Sequence, residues 1–149
     1  MPGADYNWLI IGYGNTLRGD DGVGPKVADF AESQAWVGVK ALTCALLTPE
    51  LAEPIARAKH VIFVDASVES SRQVQFRELS PADSSQIMAH AADPRALLAL
   101  ARDVFGRAPG AWWLTIPADN LSIGEDLSPL TQRGYEIALE LIRKKVMDR

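Results

Sequence analysis

Three observations predict a three-layer α/β/α fold around a five-stranded, mostly parallel sheet. Short apolar runs alternate along the chain with segments of helical periodicity, the pattern of repeated β-α units. Two of these runs, Trp8–Ile11 and Val61–Val64, are continuously apolar, as strands buried on both faces are. A third, Gln73–Arg77, alternates Val74 and Phe76 with polar residues, which gives it one wet face and a place at the sheet edge, antiparallel to its neighbour.

The elements follow in order. The first strand, Trp8–Ile11, breaks at Gly12 and Gly14, and after the acids Asp20 and Asp21 a helix is expected from about Gly22 to Ala35. Val23, Val27 and Phe30 form its inner stripe, Pro25 falls early, and Asp20 or Asp21 is its candidate N-cap. A second strand is expected between Val37 and Cys44, with Val37, Val39 and Ala41 on one side. Thr48 and Pro49 read as N-cap and first residue of a helix whose inner stripe is Leu51, Ile55 and Ala58. Pro54 inside it demands a kink or a short first turn. The third strand, Val61–Val64, ends in Asp65. Val74–Phe76 is the edge strand, and residues 80–93 read as a loop with at most a short helix. Asp93 and Pro94 open a further helix with Leu97, Leu98, Ala101 and Phe105 inward, ended by Gly106. Trp112–Ile116 is the last strand; Trp112 and Trp113, being adjacent, point to opposite faces. Ser128 and Pro129 start the C-terminal helix, with Ile137, Ala138, Leu141 and Ile142 inward and Arg143, Lys144 and Lys145 near its favourable end.

At 149 residues, residues 1–149 are expected to form one domain, with no repeat or linker. A net charge of −4 argues against nucleic acid as a partner. The single cysteine, Cys44, excludes an internal disulfide and reads as a buried strand thiol. Met1–Tyr6 lacks the basic-then-apolar pattern of a signal peptide, and no run approaches the ~20 apolar residues of a membrane helix. A soluble cytoplasmic protein is expected.

Asp21 follows the first strand, Asp65 ends the third, and His90 lies in the loop before the third helix. If strands one and three are neighbours, their carboxyl ends meet, and two carboxylates with one imidazole make a ligand set for a divalent transition metal. On residue type alone, each also has a structural reading: a helix cap for Asp21, a loop-binding carboxylate for Asp65, a packed ring for His90. Gly12 and Gly14 suggest a nucleotide-binding domain, but Leu17 stands where G-x-G-x-x-G needs its third glycine; neither a P-loop nor a G-x-S-x-G elbow occurs.

The stretch Gly12-Tyr13-Gly14-Asn15-Thr16-Leu17-Arg18-Gly19-Asp20-Asp21-Gly22-Val23-Gly24 resembles the signature of the hydrogenase maturation proteases, which trim the C-terminus of the large subunit of [NiFe] hydrogenases. Thr48–Ala52, Val61–Ala66, His90 with Asp93–Ala101, and Gly124–Pro129 are similar to further blocks of that family, in the same order. The resemblance implies an endopeptidase that removes the C-terminal extension of a hydrogenase large-subunit precursor after nickel insertion, acting as a monomer with no organic cofactor. It places the nickel contacts, and the catalytic role, on Asp21, Asp65 and His90, with the nickel carried by the substrate. Nickel as Lewis acid, nickel-activated water, and nickel as an anchor beside a carboxylate base all fit. Asp20 is left to capping or loop structure, so Asp20→Asn is expected to be mild. The chain has Ala45, Leu46 and Ala91 where relatives often carry polar residues or a second histidine. Those departures motivate the alternative of a non-catalytic nickel-recognition or chaperone module.

Overall fold

The computed structural model describes residues 5–69, 71–83 and 93–148. Its strands are β1 (Tyr6–Tyr13), β2 (Val39–Cys44), β3 (Ala58–Ser67), β4 (Gln75–Leu79) and β5 (Gly110–Pro117). They form one five-stranded sheet in the order β2-β1-β3-β5-β4. All neighbours are parallel except β4 and β5, so the alternating segment does enter the antiparallel edge strand: Gln75 and Phe76 belong to β4, and Val74 immediately precedes it. At the centre, Val61, Ile62, Phe63 and Val64 are completely buried. The continuous apolar run was the mark of a strand covered on both faces, and it is one.

The helices are α1 (Val23–Ser33), α2 (Ala52–Ala56), α3 (Pro94–Phe105) and α4 (Pro129–Met147). Side-chain alternation on the strands divides the core in two. Ile10, Ile62, Val64, Leu114 and Ile116 face α1 and α4, against Val23, Val27, Ala138 and Ile142. Leu9, Ile11, Val61, Phe63 and Ala111 face the other way, against Ile55 of α2 and Leu97, Leu98 and Ala101 of α3. Trp112 joins the first cluster and Trp113 the second, as adjacent strand residues must.

Several local signals act as expected. Asp93 caps α3 by accepting the Arg95 N–H at 2.8 Å, and Ser128 caps α4 by accepting the Thr131 N–H at 3.3 Å. Gly106 ends α3 at φ 83°, with its N–H bonded to the Arg102 carbonyl at 3.1 Å. Nothing lies within 4 Å of where a Cβ would stand there, so Gly106→Ala tests backbone conformation alone. We expect it to cost about 1 kcal/mol, read as a lower urea midpoint at unchanged slope.

Other expectations are corrected. Neither Asp20 nor Asp21 caps α1: a 3-10 turn, Gly19–Gly22, intervenes, and the N-cap is Gly22 with no side-chain bond. Phe30 is only half-buried, and Ala28 and Ala31 complete the stripe of α1 instead. Val37 precedes β2 and is exposed. Pro49 opens a 3-10 turn, Pro49–Leu51, which leaves α2 five residues long and places Ala58 in β3. Phe105 and Ile137 are about half exposed: Phe105 is the last residue of α3, and Ile137 falls at the margin of the buried arc of α4. Among the described residues, no helix is long and apolar enough to cross a membrane. His90 and Ala91 lie outside the described residues.

Candidate active site

The chain leaves β1 on one side of the sheet and reaches β3 on the other, so the carboxyl ends of these two neighbours border the crevice where open α/β sheets bind ligands. Gly12 of β1 is in register with Val64 of β3, which brings Tyr13 beside Asp65. Asp65 is not the last residue of its strand. β3 runs on to Ser67, paired with β5 as far as Pro117.

Tyr13, Asp65 and Trp113 occupy the same face, the one covered by α2 and α3. The Tyr13 hydroxyl donates to the Asp65 carboxylate and accepts from the Trp113 indole Nε1 at 3.2 Å. Burial pushes the Asp65 carboxyl up to about 6; the bonds from Tyr13 and the Ala66 N–H act downward, and the charge of Asp21 adds to the rise. The turn that carries Asp21, Gly19–Gly22, packs against β3, the strand that carries Asp65. The Tyr13 phenol is driven well above its ordinary range, first by burial and then by the charge of Asp65. Asp93, the cap of α3, also acts on it.

Asp21 sits in the 3-10 turn after β1 and is itself held: its Oδ2 accepts the Asn15 N–H at 2.7 Å. A Cβ at Gly14 would stand 2.0 Å from the Asp21 carbonyl oxygen, and φ there is +146°. Only glycine lets the loop fold back on the acid in this way.

Asp20 does something different. It is completely buried. Its Oδ2 accepts the N–H groups of Asp119 and Asn120 and the Ser128 hydroxyl, each at 2.8 Å, and its Oδ1 accepts the Ser128 N–H at 2.7 Å. Burial alone raises its pKa; the donors from Asn120, Ser128 and Asp119 outweigh it and hold the carboxyl at about 2. The same two loops are stitched by backbone bonds, Gly19 N–H to the Gly124 carbonyl at 2.7 Å and Asp20 N–H to the Asn120 carbonyl at 2.9 Å. Asp20 therefore anchors the loop that presents Asp21.

The structure thus brings two of the three sequence-derived residues, Asp21 and Asp65, to one crevice, and His90 is outside the described residues. Among the described residues, no three His, Cys, Asp or Glu side chains cluster as a metal-holding group. Sequence reasoning missed Tyr13 and Trp113. Tyr13 lies at the carboxyl end of β1, the address that singled out Asp65 on β3, and that was its one signal. Cys44 ends β2 half-buried, its thiol pKa raised by burial.

No protein-family model matches the sequence, and no curated protein matches it. Solved structures do match. Hydrogenase 2 maturation peptidase from Thaumarchaeota archaeon SCGC_AB-539-E09 is 22% identical with a TM-score of 0.70, over 94% of this chain and 97% of that one. The hydrogenase maturating endopeptidase HybD from E. coli is 20% identical with a TM-score of 0.72, over 95% and 94%. The [NiFe] hydrogenase maturation protease HycI from Thermococcus kodakarensis KOD1 is 23% identical with a TM-score of 0.71, over 93% and 90%. The chain has the α/β fold of these maturation proteases nearly end to end.

Proposed function

We propose that this protein is a processing endopeptidase of hydrogenase maturation, which removes the C-terminal extension of a [NiFe] hydrogenase large-subunit precursor once nickel is in place. The observation that carries the reading is the packing of the turn that bears Asp21 against β3, the neighbour of β1 that bears Asp65, in the stretch that resembles the maturation-protease signature. The fold shared with solved maturation proteases supports it.

In this reading Asp21, Asp65 and His90 contact the nickel carried by the precursor. Three protein ligands leave positions for the substrate's own groups, which makes nickel in the precursor the anchor that admits the scissile bond. Burial raises the pKa of the Asp65 carboxyl in the free protein, and Asp65 gives up its proton when it takes the nickel of the precursor. Tyr13, tied to Trp113, fixes the orientation of that carboxylate. The protein acts as a cytoplasmic monomer.

The experiment is a mass measurement on nickel-loaded and nickel-free precursor after incubation with the protein. We expect loss of the extension only from the loaded form, and no cleavage with Asp21→Asn, Asp65→Asn or His90→Ala, each folded by circular dichroism. Equal processing of both precursors rules out the nickel anchor. Binding of loaded precursor without any change in mass assigns the protein to nickel recognition rather than hydrolysis.

A further inference from the structure

The strand order leaves the outer side of β2 without a neighbour. Lys40, Leu42 and Cys44 turn their backbone groups toward β1, as the bond from the Gly14 N–H to the Cys44 carbonyl at 3.1 Å shows. By alternation, Val39, Ala41 and Thr43 turn theirs outward. Two of these outward N–H groups are already taken. That of Val39 bonds the Trp36 carbonyl at 3.2 Å, and that of Ala41 bonds the Glu32 carboxylate, reaching across from α1, at 3.1 Å. Among the described residues, nothing meets the N–H or the carbonyl of Thr43, which is exposed. The edge is closed where β2 begins and open where it ends.

The open end borders a cleft of about 290 Å³ whose lining includes Gly14, Asn15, Leu17, Pro25, Thr43 and Cys44. Asn15 is the residue whose N–H holds the Asp21 carboxylate, so the cleft borders the loop that carries Asp21. Leu17 is 60% exposed, and Leu46, two residues past the end of β2, is 70% exposed.

We propose that the substrate binds here by strand addition: an extended segment of the precursor's C-terminal extension lies against the end of β2, exchanges main-chain hydrogen bonds with Thr43, and seats one apolar side chain in the cleft beside Leu17 and Pro25. The proposal rests on the reading that the substrate is a peptide cut at Asp21 and Asp65. An edge with free main-chain groups supplies affinity for any extended chain, and the flanking side chains supply selection. From an added strand to β3, which bears Asp65, is three strand spacings, about 14 Å, which about four to five extended residues, at about 3.3 Å each, span. The segment therefore reaches the acids without disturbing the sheet. The Glu32 bond to Ala41 stops the added strand from extending along the whole edge, so only the end next to the site is available.

The test exploits the direction of the Thr43 N–H. Thr43→Pro removes that outward donor and no bond of the β1 ladder, and proline is tolerated on a strand edge. With nickel-loaded precursor we expect KM to rise about tenfold with kcat within about twofold of wild type, the signature of lost ground-state binding. Thr43→Val, which keeps the donor, leaves both unchanged. Independently of any variant, saturating precursor slows hydrogen exchange at the Thr43 amide of the wild-type protein at least tenfold. That readout decides the matter if Thr43→Pro fails to fold. An unchanged KM in folded Thr43→Pro, or exchange at Thr43 indifferent to bound precursor, overturns the proposal. So does slowing that tracks the concentration of this protein alone, which marks pairing of two β2 edges. Slowed exchange with no cleavage by wild type sustains the strand addition while refuting the protease reading.

Discussion

Asp65→Asn gives a protein that is inactive and, above pH 6, more stable than the wild type. Burial, with a contribution from Asp21, raises the Asp65 carboxyl from its ordinary 3.8 to about 6. A carboxyl whose folded pKa lies above its unfolded value is bound to its proton more tightly in the native state. Its favourable contribution is complete below about pH 4 and is lost as the pH rises through 6; from there on, ionised Asp65 burdens the fold. The size of that burden is about 2–3 kcal/mol, at 1.36 kcal/mol for each unit of pKa. Asparagine removes the charge and keeps an oxygen for the Tyr13 hydroxyl. Thermal unfolding at pH 8 should show a melting temperature raised by roughly 6 °C, and at pH 4 the two proteins should coincide. A variant less stable than wild type at pH 8 contradicts the burial account. The site would then be a place where the fold tolerates an unfavourable charge because the reaction needs it.

Asp20→Asn, which the sequence suggests is mild, should instead be severe. Its carboxylate accepts four hydrogen bonds from Asp119, Asn120 and Ser128 in a fully buried place. An amide offers one oxygen where two are needed, and its NH₂ is set against an N–H or a hydroxyl whichever way it turns. Each buried donor left without an acceptor costs about 1–3 kcal/mol, so a loss of about 3 kcal/mol is expected, with reduced processing because the Asp21 loop loosens. The pH dependence runs opposite to that of Asp65. A pKa depressed to about 2 gives stability that is complete above the unfolded value and is lost as the pH falls from about 4 toward 2. Urea denaturation at pH 7 measures the first effect. The second appears as an acid transition between pH 4 and 2 that is steeper in wild type than in Asp20→Asn. A variant within 0.5 kcal/mol of wild type at pH 7 would show that the loop does not depend on this carboxylate.

Asp20 and Asp21, adjacent in sequence, show which parts of the molecule could be read in advance. Val61–Val64 was legible because a strand covered on both faces has no polar positions. Asp93, Gly106 and Ser128 were legible because a cap bonds to residues within a few positions of itself. Asp20 was not, because its partners are about a hundred residues away and no local pattern encodes them. Ile137 failed for a subtler reason: a helical stripe is wide, and one position at its margin decides between core and solvent; Phe105 is on the stripe but at the last position of α3. Asp21 and Asp65 could be placed together because strand ends share an address once β1 and β3 are neighbours. Tyr13 and Trp113 share that address, but an aromatic pair within a packed sheet looks like core until its hydrogen bonds are seen.

The bonds between Asp20 and Ser128 close a loop of more than a hundred residues. Loop closure of that length comes late, after local helices and neighbouring strands have formed, because its entropic cost is met only when both ends are already held in place. During synthesis the chain carrying Asp21 is complete long before Ser128 exists. A nascent or truncated molecule can therefore lay down β1, β2 and β3 and still lack the anchor of the loop that bears Asp21. Competence arrives with the last helix. On the proposed reading of the protein as a processing endopeptidase, this timing keeps every unfinished copy harmless.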